Sequence, residues 1–235
     1  DKNEFIARIT NMATLRRGQR LLADRAALLA EEVKAATEMI VLRERETIFR
    51  LAKAAEYRDP ETGSHILRMA NYSRLIAQAL GLGEDERQLI FEAAPLHDVG
   101  KVAIPDLILL KPGKLTTEEF ELMKRHALIG HEILRDSSSP KLQAAAVIAL
   151  SHHERLDGSG YPDGLSGDDI PLHGRIVAVA DVFDALTSER PYKRAWTLEQ
   201  AAAYLREQAG SHFDTRCTDA FFSIWNEIKA VYDRY

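Results

Sequence analysis

His97 and Asp98 stand side by side at the end of an apolar run (Ile90, Phe91, Ala93, Ala94, Leu96), and Lys101 follows three residues later. An imidazole and a carboxylate buried there are costly unless something pairs with them. A divalent cation suits both, because neutral imidazole and carboxylate are good ligands for a borderline-hard ion. One doublet is slight evidence, but the chain has eight histidines and others fall in comparable settings. His152-His153-Glu154 closes the apolar stretch Ala144 to Leu150 and runs into a glycine-rich segment. Adjacent helical residues diverge by about 100°, so these two imidazoles are expected to serve two neighbouring ions rather than one. Asp181 and Asp184 lie inside the otherwise apolar run Arg175 to Leu186. Their three-residue spacing puts both near one face, where they need a cation, either a metal or an arginine such as Arg175 or Arg190.

Other residues read less sharply. Glu61 and His65 are four apart and share a helix face, but Glu61 could equally serve the helix dipole beside an unrelated surface histidine. His126 and His131 are five apart and point away from each other, so at most one faces a given site. Arg190-Pro191-Tyr192-Lys193-Arg194 is a basic cluster able to hold phosphate, or simply a solvated surface.

These residues must be positioned by helices. Aromatics make up 7% of the 235 residues, hydrophobic residues 46%, and no segment alternates with period two, so an all-α bundle of eight or more helices is expected. Leu15, Leu22, Leu29 and Ala36 recur every seven residues, with Ala26, Val33 and Ile40 between them, which is the a/d seam of a coiled coil. Gly18 is expected to separate a short helix over 1–17, and a further helix to run from Arg43 to Tyr57. Helices are then expected over about 61–80, from Glu84 to the His-Asp pair, and from Thr116, whose capping box with Glu119 starts a helix to about Leu134. Further helices are expected over Lys141–His153, Gly174–Ser188, Leu198–Gln208 (with a Thr197/Gln200 capping box), and from Asp214 to near Tyr235. Ile104–Lys114 and Leu156–Leu172 read as loops. The second carries four glycines and two prolines, and structureless loops of that length are usually functional or disordered.

Composition excludes several classes. Lys and Arg number 31 against 36 Asp and Glu, a net charge of −5, so no basic footprint for duplex nucleic acid is present. The single cysteine, Cys217, rules out an internal disulfide and a cysteine-based zinc site, and fits a reducing compartment. No apolar run approaches the ~20 residues that span a bilayer, and Asp1-Lys2-Asn3-Glu4-Phe5 has no signal-peptide pattern. A cytoplasmic location is the expectation.

The order of His65, His97-Asp98 and Asp181 resembles the HD superfamily of metal-dependent phosphohydrolases. The run His152-His153-Glu154-Arg155-Leu156-Asp157-Gly158-Ser159-Gly160-Tyr161-Pro162, with His97-Asp98-Val99-Gly100-Lys101, is similar to the HD-GYP subfamily, which hydrolyses cyclic di-GMP. Only Val99 departs from it, where isoleucine is usual. The resemblance covers about Arg43 to Tyr235. It divides the chain into linker helices over 1–43, with 1–17 resembling the last helix of a bacterial receiver domain, and an HD-GYP catalytic domain over 44–235.

What the resemblance implies is a phosphodiesterase that cuts cyclic di-GMP by attack of a metal-bridging hydroxide, with linear pGpG or GMP as the end product. The metal ligands carried over are Glu61, His65, His97, Asp98, His126, His152, His153 and Asp181, holding two or three divalent ions, iron or manganese; His131 is left structural. Asp98 bridges metals. Lys101, Tyr161, Asp184, Arg190 and Lys193 meet substrate, and Lys101 or a metal-bound water protonates the leaving oxygen. Another HD phosphohydrolase substrate, such as a different cyclic nucleotide, and a non-catalytic nucleotide-sensing or protein-docking module are the alternatives. The seam implies a homodimer, and the receiver-like start implies an upstream receiver or sensor domain of a two-component system.

Overall fold

The computed structural model of the chain describes residues 1–57, 63–189 and 194–235. The described residues divide into two compact units, Asp1–Thr47 and Ile48–Tyr235. Helix α1 runs uninterrupted over Lys2–Glu56. The expected break at Gly18 is not there. A lone glycine costs a helix about 1 kcal/mol relative to alanine, and the helix formers on both sides outweigh it. The first unit is a solvated helix, and its seam residues Leu15, Leu22, Leu29, Val33 and Ile40 are all exposed.

The second unit is the helical bundle that the composition implies. It contains α2 (Gly63–Ala79), α3 (Glu84–Ala93), α4 (Asp106–Leu109), α5 (Thr117–Leu134), α6 (Pro140–Ser151), α7 (Leu172–Thr187), α8 (Leu198–Glu207), α9 (Thr215–Ser223) and α10 (Trp225–Arg234). No strand occurs among the described residues. α4 is a single turn inside the expected Ile104–Lys114 loop. The expected final helix is two pieces, parted at Ile224 (φ −115°, ψ 30°).

Two helices are apolar on nearly every face and are therefore central. In α6, Ala144, Ala145, Ala146, Ile148 and Ala149 are buried; in α7 the whole run Ile176–Ala180 is buried. α7 packs on α2 and α6, α6 on α3 and α5, and α2 is also covered by α9 and α10. Tyr72 of α2 meets Phe183 of α7 edge-on (ring centroids 5.4 Å apart), and Phe183 meets Phe221 of α9 at 4.9 Å. The capping boxes at Thr116/Glu119 and Thr197/Gln200 both form.

The segment after α3 is wound into two short 3-10 turns, Ala94–Leu96 and Val99–Ala103, with His97 and Asp98 between them. This turn is pressed onto α5. A Cβ built on Gly100 would lie 2.0 Å from the carbonyl oxygen of His126 and 2.5 Å from the amide of Gly130. Only glycine permits that approach, and backbone atoms cannot move aside as a flexible side chain would. Gly100→Ala is therefore expected to cost about 2–3 kcal/mol of stability, lowering Tm by about 4–12 °C in a thermal melt. An unchanged Tm would show that the turn is not held against α5.

Candidate metal centre

His65 is on α2, His97 and Asp98 lie in the turn after α3, and His126 is on α5. His152 and His153 follow the end of α6, and Asp181 is on α7. Segments more than a hundred residues apart in sequence converge here. Their donor atoms form two groups: Asp98, His126, His152 and His153 in one, and His65, His97 and Asp181 in the other. Within each group the donors lie within 4.8 Å of one another. Asp98 reaches toward both groups. Its Oδ1 is 3.1 Å from His126 Nε2 and 3.5 Å from His152 Nε2, while its Oδ2 is 3.2 Å from His97 Nε2. Asp181 Oδ1 lies 3.8 Å from His97 Nε2 and 3.9 Å from His65 Nε2.

The far side of each imidazole explains why Nε2 faces inward. His97 Nδ1 donates to the Ala94 carbonyl (3.0 Å), His126 Nδ1 to Met123 (2.7 Å), and His152 Nδ1 to Ile148 and Ala149 (3.1 Å each). A carbonyl only accepts, so Nδ1 carries the proton, and Nε2 is the nitrogen whose lone pair faces the cluster whenever the ring is neutral. His65 Nδ1 is held by Asp184 Oδ2 at 2.7 Å. This is the orientation that a carbonyl or carboxylate behind a metal-ligating histidine enforces.

The fit to cations can be judged from what these atoms lack. His97, His126 and His152 Nε2 and Asp98 Oδ1 are buried with no hydrogen-bond partner. Orphaned polar atoms in a protein interior are rare and expensive. An array of imidazole nitrogens and carboxylate oxygens aimed at one another is satisfied by divalent ions, and these residues fit them. The titration behaviour agrees. Burial opposes a charge on His97, yet Asp98, Asp181 and Glu56 overcome it and push its pKa up to about 10. Burial would raise Asp98, but Lys101 and His97 hold its carboxyl well below the usual range. Burial and neighbouring imidazoles push His153 well down, and burial pushes His152 down, which favours the neutral imidazole that a metal ion requires. The acidic part of the cluster thus demands positive charge from its surroundings, as a metal site does.

Several expectations change. His152 and His153 were expected to serve two ions, yet both donors fall in one group. α6 stops at Ser151, so the doublet sits in a turn where the 100° rule no longer applies. Asp184, expected at the substrate, is enclosed by protein groups. It is fully buried, gripped by Arg68 (Nε–Oδ1 2.6 Å, Nη2–Oδ2 2.8 Å), and its Oδ2 is shared with His65 Nδ1. The arginine reading was right for this residue, with Arg68 as the partner; Arg175 instead pairs with Asp168 and Asp214. Lys101 Nζ lies 2.8 Å from Asp98 Oδ2. Tyr161 stacks on His153, with ring centroids 4.7 Å apart and planes at 32°. His131 is outside both groups and bonds to the Ala146 carbonyl. Glu61, Arg190 and Lys193 lie outside the described residues.

Three residues escaped the sequence reading. Arg68 lies three positions after His65 on the same face, which was the available signal. Glu154 is buried and accepts from the amides of Asp163 (2.8 Å) and Gly164 (3.1 Å), folding the glycine-rich loop back on itself. Glu56, an acid on the buried Ile48/Ala52/Ala55 face, brings Oε1 to 3.9 Å from His65 Nε2.

The sequence matches the family described as HD domain over residues 20–217. It is 54% identical over 217 residues to the cyclic di-GMP phosphodiesterase response regulator RpfG of Xanthomonas campestris pv. campestris, covering 92% of this chain and 57% of that protein. It is 49% identical over 195 residues to the 3′3′-cGAMP-specific phosphodiesterase 2 of Vibrio cholerae, covering 82% of this chain and 37% of that protein. The chain thus spans about half the length of these curated relatives. A crystal structure of a cyclic GMP-AMP-specific phosphodiesterase from V. cholerae superposes with a TM-score of 0.58 at 22% identity, over 77% of this chain and 48% of that one; at that identity the likeness is one of fold.

Because Asp184 fixes the His65 ring and carries no ligand role of its own, Asp184→Asn should weaken metal binding by about 10–100-fold without abolishing it. Titrating metal-free protein with manganese and following heat release measures this. An unchanged affinity would remove His65 from the ligand set or Asp184 from its support.

Proposed function

The chain belongs to the HD-domain family, and we propose that it is a metal-dependent phosphodiesterase that hydrolyses cyclic di-GMP to linear pGpG and on to GMP. The observation that carries this reading is the pair of donor groups that meet at Asp98, in a chain 54% identical to a cyclic di-GMP phosphodiesterase. Divalent ions bound there supply charge neutralisation for a phosphodiester and a nucleophile at neutral pH. The donor set has nitrogen and oxygen but no sulfur, which suits iron or manganese.

On this reading His65, His97 and Asp181 would hold one ion and His126, His152 and His153 another, with Asp98 as a ligand available to both. Glu61 would supply a third. Lys101 keeps Asp98 ionised, neutralises a phosphate oxygen and protonates the leaving 3′-oxygen. Arg190 and Lys193 hold the second phosphate, and Tyr161 edges the cleft. Asp184 and Arg68 position His65, and Glu154 shapes the loop that carries Tyr161. A second reading, with 3′3′-cGAMP as substrate, is favoured by the 49% identity to a phosphodiesterase specific for it.

The exposed heptad seam of α1 supports a homodimer in which Leu15, Leu22 and Leu29 meet their counterparts. Similarity to a response regulator, with the receiver-like residues 1–17, supports control by an upstream receiver domain in a two-component system. A lone, buried cysteine accords with the cytoplasm.

Manganese- or iron-loaded protein incubated with cyclic di-GMP should release pGpG, followed by chromatography; turnover of 3′3′-cGAMP alone would assign the second substrate, and turnover of neither would end both. His152→Ala should lose bound metal and activity together, and a variant with full metal content would leave the ligand set. In light scattering the chain should be a dimer and Leu22→Asp/Leu29→Asp a monomer. A monomeric wild type would exclude the coiled coil.

A further inference from the structure

A line of rings leads outward from the metal centre. His152 and His153 have centroids 3.9 Å apart, His153 and Tyr161 4.7 Å, and Tyr161 and Phe120 6.1 Å with planes at 83°. The first members are buried or half-buried, but Phe120, on the first turn of α5, is 46% exposed. Single exposed apolar residues are ordinary. This one is the open end of a continuous aromatic series, and a cation sits over it. Lys124 Nζ is 5.5 Å from the Phe120 centroid and 5.8 Å from that of Tyr161. Among the described residues Lys124 otherwise pairs with the exposed Glu121 at 2.6 Å, a contact of small worth in solvent.

We infer that Phe120, Tyr161 and Lys124 form a nucleobase shelf, with Phe120 as its stacking surface and Lys124 as a donor to base or phosphate. A nucleotide carries its base one sugar away from its phosphate, so a phosphodiester at the metal centre places a base on the neighbouring ring series. Aromatic faces accept any base, and a purine has the larger stacking area. Lys124 offers three N–H donors, which match the acceptor edge that guanine presents through O6 and N7. The shelf makes Phe120 and Lys124 substrate-binding residues, and this assignment rests on the cyclic dinucleotide reading above.

Stacking is measured directly with a cyclic dinucleotide carrying one 2-aminopurine, whose fluorescence is quenched on an aromatic face. Metal-loaded wild type should quench it. Phe120→Ala and Phe120→Leu should lose the quench and raise KM for cyclic di-GMP about tenfold with kcat within about twofold, as expected when uniform binding is removed. Phe120→Trp should retain both, and since the side chain is half-exposed these variants should fold with the wild-type Tm. Lys124→Met should raise KM for cyclic di-GMP more than for cyclic di-AMP. Quenching by a wild type that cleaves neither cyclic dinucleotide would keep the shelf and remove the hydrolytic reading. Normal turnover with unchanged KM and quench in Phe120→Ala and Phe120→Leu would overturn the shelf alone. Neither quench nor turnover in the wild type would overturn both.

Discussion

The Asp98 carboxylate is the constraint around which the second unit is arranged. It is buried, its two oxygens face three imidazole nitrogens at 3.1–3.5 Å, and one oxygen meets Lys101. A lone carboxylate at that depth would be neutralised by protonation, because desolvation disfavours its charge. Here lysine and histidine hold it ionised. The cost falls on the surrounding helices, which must deliver cationic or metal-ready groups to one point.

They deliver them mainly at helix ends. α3 stops one turn before His97, α6 stops at Ser151 just before the doublet, and the 3-10 turns between α3 and α4 pack so closely on α5 that Gly100 can carry no side chain. Carbonyl oxygens have two lone pairs, and those of Ala94, Ile148 and Ala149, at the helix ends, accept from the histidine Nδ1 atoms, Ala94 and Ile148 in addition to a backbone amide. Burial of α6 and α7 therefore does two things. It supplies core stability, and it fixes the tautomers on which ligation depends. Behind the first layer, Arg68, Asp184 and Ser188 form a buried charged network that orients His65.

Much of this was legible in the sequence. The helices follow from apolar periodicity and capping boxes, and the doublets stand out because polar pairs rarely terminate apolar runs. What was not legible was tertiary. Gly18 looked like a break, since propensity counts one residue while the helix sums its neighbours. His152 and His153 looked divergent, because the end of α6 could not be placed to one residue. Asp184 looked like a second metal or substrate ligand, since its spacing from Asp181 is right and only the fold shows that Arg68 takes it. Glu154 and Glu56 were given no role because an acid beside a loop or at a helix end is usually solvated.

The proposed account stands or falls on whether Asp98 joins two ions, which in two-metal sites sit about 3.5–4 Å apart. Electron paramagnetic resonance of metal-free protein titrated with manganese(II) measures this most directly. The account predicts that the isolated-ion six-line signal is replaced by an exchange-coupled spectrum as the second equivalent binds, and that Asp98→Ala prevents the coupling. A spectrum of uncoupled ions at two equivalents, or saturation at one ion per chain, would contradict it.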